Sequence, residues 1–143
     1  MTTVHLARDL GHVLDELLER STQSATAQLA AHNLSVNDLR VLRTLDRRPG
    51  GDTVRAIASR LGLPVADARS SLIELRHRGL AAGASYGLVI LTRRGRALAN
   101  ELERARRNEL ESYVDQLPHA ERLRLEAAVH LLSGDLGGAL AAA

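Results

Sequence analysis

TVRAIASRLGLPVADARSSLIELRHRGL, residues 53–80, is two short amphipathic segments around a Gly-Leu-Pro break. Thr53 can cap the first segment, and Val54, Ile57, Ala58 and Leu61 recur at three- and four-residue steps, one helical face. Gly62 is its stop, because glycine takes the left-handed conformation at little cost. Pro64 opens the second segment at a first helical position, where its fixed φ and missing N–H do no harm. Ala68, Leu72 and Leu75 form the inner stripe of this second helix, and Gly79 ends it. Two short helices joined by so tight a turn make a helix-turn-helix pattern. In that pattern the second helix lies in the major groove of DNA, with its first residues near the bases.

The flanking sequence extends the pattern in both directions. Upstream, Val4, Leu6, Leu10, Val13, Leu14, Leu17 and Leu18 mark one face of a helix from Thr3 to Ala31, with His32-Asn33 as its stop. Leu34 to Arg48 reads as a second helix, with Ser35 and Asp38 spaced as a capping box and Leu39, Val41, Leu42 and Leu45 inward. Pro49-Gly50-Gly51 is a turn. Downstream, Leu80 to Leu91 changes period. It is short, apolar and glycine-punctuated, which predicts a hairpin turning near Ser85-Tyr86-Gly87. Thr92 caps a long helix from Arg93 to about Gln116, with a stripe of Leu98, Leu102, Ala105, Leu110, Tyr113, Val114 and Leu117. Pro118 breaks it. A last helix is expected from about Ala120 to Ser133, with a weakly structured tail from Gly134 on.

The composition narrows the function. The chain has 143 residues, 45% hydrophobic and 25% charged, the balance of a folded globular domain with helical extensions. It has two Tyr, no Phe and no Trp, so its core is built from aliphatic side chains. Surface rings of the kind single-strand readers stack on are scarce. The absence of Cys excludes disulfides, thiolate metal sites and thiol nucleophiles. No apolar run is long enough to span a membrane, and the charged start does not read as a signal peptide, so a cytoplasmic protein is expected. All 19 basic residues are Arg. Residues 34–107 hold 15 Arg against 7 acids, a net +8, while residues 1–33 carry −2 and residues 108–143 carry −4. The net charge of +2 therefore conceals a basic middle, which points to an anionic partner there, nucleic acid above all.

With Ala68, Leu72 and Leu75 inward, the outward face of the second helix of the pair starts with Val65, Ala66, Asp67, Arg69, Ser70 and Ile73. Arg69 is the candidate reader of guanine, since its fork matches O6 and N7. Ser70 can reach a base or a phosphate. Asp67 either accepts from cytosine or orients Arg69, unless it only favours the positive helix start. Arg40, Arg43, Arg47, Arg55, Arg60, Arg69, Arg76 and Arg78 are candidates to share phosphate neutralisation. His77 lies where a cation suits the negative helix end.

LSVNDLRVLRTL (34–45), residues 53–80 and LVILTRRGRAL (88–98) together resemble the MarR family of bacterial transcription regulators. The resemblance covers nearly the whole chain. Its most specific parts are the Leu-Gly-Leu turn, Arg78-Gly79-Leu80, and Leu91-Thr92 followed by Gly95-Arg96-Ala97-Leu98. It implies a mainly α, winged helix-turn-helix fold in three parts. These are an N-terminal dimerisation helix (1–33), the DNA-binding domain (34–92) and C-terminal dimerisation helices (93–143). It further implies a homodimer on a pseudo-palindromic double-stranded operator, acting as a repressor released by a small-molecule inducer. A pocket for such a ligand would draw on His12, His32 and Tyr113. The family's wing is usually longer, with an Asp-x-Arg motif. Here the hairpin has no charged residue between Leu80 and Thr92. Tyr86 at the turn, and Arg93 and Arg94 just after it, are the candidates for backbone contact in its place.

Other classes find less support. His5, Asp9 and His12 share one helical face at a spacing that suits a transition metal, with no second cluster beside them. The plainer reading is a solvated or dimer-facing stripe. No nucleophile elbow, phosphate-binding glycine loop or metalloprotease signature is present, so neither an enzyme nor a cofactor is expected. The rivals are a winged-helix dimer with a reduced wing that works through protein partners, and a metal-responsive regulator.

Overall fold

The computed structural model describes residues 2–141, with side chains as far as Gly134. The order is α1 (Thr3–His32), α2 (Val36–Asp46), α3 (Val54–Leu61), α4 (Val65–His77), β1 (Ala81–Gly83), β2 (Val89–Leu91), α5 (Arg93–Asp115) and α6 (His119–Ala141). A single 3-10 turn, Ser85–Gly87, joins the strands. Contacts divide the chain within α5, into Met1–Arg106 and Arg107–Ala143. The first unit is a winged helix-turn-helix preceded by α1.

Local chemistry sets the helix ends. Ser35 Oγ accepts from the Asp38 N–H at 3.0 Å, while an Asp38 carboxylate oxygen accepts from the Ser35 N–H at 2.9 Å. This is the expected capping box, and it starts α2 at Val36 rather than at Leu34. Thr53 Oγ1 accepts from the Ala56 N–H and opens α3. Pro64 is the residue before the first turn of α4, not its first helical residue. Three helices close in the same way, with the residue after a left-handed one donating back five positions. Leu34 donates to Leu29 O, Leu63 to Ala58 O and Leu80 to Leu75 O, at 2.8–3.0 Å. The left-handed residues of these caps are Asn33, Gly62 and Gly79.

The core of the first unit gathers Leu29 and Leu34 with Leu39, Val41, Leu42 and Leu45 of α2, Ile57 and Ala58 of α3, and Ala68, Leu72 and Leu75 of α4. Leu80, Ala81, Val89 and Leu91 of the hairpin and Ala99 and Leu102 of α5 complete it. It is aliphatic throughout, as the composition requires. The hairpin is antiparallel, with Ala81 opposite Leu91 and Gly83 opposite Val89. Asp52 adds a one-residue bridge to Val89 and makes a rudimentary third strand. Among the described residues, no buried side-chain nitrogen or oxygen lacks a partner.

The apolar stripe of α1 is mostly not in this core. Only Leu29 of that helix is buried, and Val4, Leu6, Leu10, Val13, Leu14 and Leu18 are exposed. In the second unit, Leu110, Leu123, Val129, Leu131 and Leu132 are exposed as well. The tail also departs from expectation: α6 continues past Ser133 to Ala141. Its Ala and Leu are strong helix formers, and they carry the helix through the glycines. Residues 142 and 143 of that tail lie outside the described residues.

Candidate nucleic-acid interface

The site is built on α4 and its supports. Gly62, at φ 62°, lets α3 end and the chain reverse within two residues. The Leu61 carbonyl accepts from Arg40 Nη2, which ties this turn to α2. Ala68, Ser71, Leu72 and Leu75 seat α4 on the core. The opposite face carries Ala66, Asp67, Arg69, Ser70, Ile73, Arg76 and His77, all exposed, with Val65 at its edge. Ser70 Oγ donates to Ala66 O at 3.0 Å, which leaves its lone pairs outward. No ion pair joins Asp67 to Arg69 among the described residues, so the acid does not orient the arginine here.

The wing stands beside this helix. Arg76 lays its guanidinium against Gly83 of β1, with Nη2 3.5 Å from where a Cβ would be. Tyr86 is 96% exposed at the hairpin tip and has φ 62°, a left-handed conformation rare for a ring-bearing residue. Arg55 is exposed on the first turn of α3, and Arg93 and Arg94 on the first turn of α5. All the candidate contact residues therefore belong to the first unit and are solvent-facing.

Some arginines of the basic middle serve the fold. Arg78 pairs with Glu74 at 2.7 Å and donates to the carbonyls of His32 and Asn33, tying the end of α4 to the end of α1. Arg60 Nε donates to Asp52 at 3.0 Å, and Arg48 lies 3.6 Å from the same carboxylate. Arg40 holds the Leu61 carbonyl. Arg40, Arg60 and Arg78, expected to share phosphate neutralisation, each also hold a partner inside the chain. Arg43 is half-buried on α2. Its pKa is lowered from the usual arginine value by burial first and by repulsion from Arg106 next, with Glu103 pulling the other way and Arg47 adding a weaker repulsion.

Asp52 and Thr92 were not singled out as parts of this site, yet they brace it. Asp52 joins α3 to β2 and to two arginines. Thr92 donates its hydroxyl proton to Gly79 O at 2.6 Å and accepts from the Gly95 N–H at 3.1 Å. A Cβ on Gly95 would run into the Leu80 carbonyl. The Gly79-Leu80, Thr92 and Gly95 motif is thus one knot between α4, the wing and α5. The sequence signal for it is the pairing of glycines on either side of the hairpin.

Other expected groupings do not form. His12 and His32 lie twenty residues apart on α1, about 30 Å along its axis, so they cannot line one small pocket of one chain. His32 lies 3.7 Å from Glu101. Tyr113 belongs to the second unit. The structure gathers no three His, Cys, Asp or Glu able to hold a metal among the described residues. His5 and His12 are two turns apart, about 10 Å, against metal–nitrogen bonds of about 2 Å. His5 Nδ1 is hydrogen-bonded to Thr2 Oγ1 instead. The metal reading of His5, Asp9 and His12 is corrected accordingly. No described helix is long and apolar enough to cross a membrane.

The architecture is that of a winged helix-turn-helix protein with long flanking helices, and it is the fold of solved MarR family proteins. A MarR family protein from Bacillus stearothermophilus superposes with a TM-score of 0.81 at 15% identity, covering 96% of this chain and 99% of that one. RV1404 from Mycobacterium tuberculosis gives 0.76 at 23% identity and covers 96% of each. The Mycobacterium tuberculosis MarR family protein Rv2887, in complex with DNA, gives 0.70 at 23% identity, covering 86% of this chain and 96% of that one. In sequence, the IclR helix-turn-helix domain matches residues 37–83, about a third of the chain. No curated protein matches.

Proposed function

We propose that the chain is a homodimeric, sequence-specific DNA-binding transcription regulator that acts in the cytoplasm as a repressor. The observation that carries this reading is the exposed face of α4. It presents Arg69 and Ser70 outward and stands within a segment of net charge +8. Arg55, Arg76, Arg93 and Arg94 flank it, and Tyr86 reaches out from the wing. Double-stranded DNA is the partner whose groove admits such a helix and whose phosphates answer such a charge. The solved likeness in complex with DNA supports the same reading. In the proposed dimer, residues 1–33 and 93–143 join two copies, and residues 34–92 of each read half of a pseudo-palindrome. Their exposed apolar residues support this division, since a chain of this size leaves them uncovered.

The test is a gel-shift titration of the purified protein with its own promoter fragment at several salt concentrations. Binding that falls steeply with salt is expected. No shift with any duplex would favour the rival reading, a winged-helix protein that acts through protein partners, which the uncharged wing supports. Release by a small molecule belongs to the proposal too, with His32 or Tyr113 as a lining residue. Melting-temperature screening against aromatic acids, with His32→Ala as control, tests it.

A further inference from the structure

The outward face of α4 is not uniformly polar. Val65 is 39% exposed and Ile73 60% exposed, and Ala66 is exposed as well. At 100° per residue, Ala66 and Ile73 stand on nearly one line, seven residues apart, with Arg69 and Ser70 between them. Aliphatic side chains exposed on a helix face gain free energy when a partner covers them. The charge around this face commits that partner to a polyanion: Arg55, Arg69, Arg76, Arg93 and Arg94 are all exposed beside it. The apolar group that DNA offers in its major groove is the 5-methyl of thymine.

We infer that α4 reads thymine methyl groups at two places in each half-site, Val65 and Ala66 meeting one and Ile73 the other, with Arg69 on a guanine between them. This rests on the DNA-binding reading and adds its sequence class. Seven residues rise about 10.5 Å along the helix, and base pairs rise about 3.4 Å, so the two thymines stand about three steps apart. Aliphatic contact recognises the methyl alone, so deoxyuridine in place of thymidine removes the recognised group and nothing else.

The experiment selects a binding duplex from a random pool with the full chain. The binding of the thymidine and deoxyuridine forms of that duplex is then compared. Each lost methyl is expected to weaken binding about fourfold. In Ile73→Ala, deoxyuridine at the thymine that Ile73 meets should cost nothing further, while the one met by Val65 and Ala66 keeps its effect. Ile73→Val should retain most of the preference. Because Ile73 is exposed, the variants should melt with the parent. Equal affinity for the two forms of the duplex overturns the inference and leaves the DNA-binding reading intact. Recovery of no duplex at all overturns both. A change of oligomeric state in Ile73→Ala overturns the inference as well, because the side chain then belongs to a contact between copies.

Discussion

Arg69, Ser35 and Gly95 show three different grounds for a residue's place. Arg69 makes no contact that the fold needs. Its replacement by Ala should leave the melting temperature unchanged and relax preference at one base pair, at a cost of about 1–3 kcal/mol. Equal weakening on all sequences, measured by competition with scrambled duplex, would make it a phosphate contact. Ser35 is held by its capping box with Asp38, so Ser35→Ala should lower stability by about 1 kcal/mol without touching DNA preference. Gly95 is there because the Leu80 carbonyl occupies the space of a side chain. Gly95→Ala should cost about 3 kcal/mol or more, read from the urea midpoint, since the obstacle is backbone. The capping role of Ser35 and the outward place of Arg69 are legible in the sequence. At Gly95 the pairing of glycines across the hairpin signals a knot, but the Leu80 carbonyl that fills the side-chain space is not legible from the sequence.

At the scale of elements, the arginines divide into those that build the platform and those that face outward. Arg78 joins α4 to the end of α1 through two carbonyls and Glu74. Arg78→Ala should therefore cost about 1–3 kcal/mol of stability, because it leaves part-buried acceptors unpaired. A charge count along the chain gives Arg78 and Arg69 equal weight. Only the hydrogen bonds between the ends of α4 and α1 separate them. Arg43 is a contrasting case on α2, half-buried and repelled by Arg106 and Arg47. Arg43→Met should raise the melting temperature, since it removes a charge that burial and its neighbours both disfavour. The stops at Gly62 and Gly79 and the cap at Thr92 were legible, whereas Leu34 and Pro64 lie before the helices they were expected to open. The extension of α6 was not legible, because summed helix propensity outweighed the glycine signal used to stop it.

For the whole molecule, the exposed stripe of α1 carries the largest consequence. A soluble monomer rarely leaves so continuous an apolar face to water. Sedimentation should give twice the chain mass, and Leu10→Glu with Leu14→Glu should halve it. If the dimer spans two half-sites, that variant should also lose most of its operator affinity while keeping its helicity. Salt dependence is the companion measurement. The slope of log affinity against log salt should be about −0.9 for each phosphate neutralised, summed over both copies.

Periodicity, caps and the Gly-Leu-Pro break were enough to establish the helix order, the hairpin, the core residues of α2 to α4 and the outward face of α4, because all of these are set by neighbours three or four positions away. The near-absence of aromatic residues correctly foretold an aliphatic core. What only the tertiary structure decided lies in long-range contacts. It gave Arg40, Arg60 and Arg78 hydrogen-bond partners inside the chain, brought Asp52 to β2, and knotted Thr92 to Gly79 and Gly95. Those pairings depend on where helices cross, and a linear pattern of residue types carries no record of which partner a long side chain will find across a crossing.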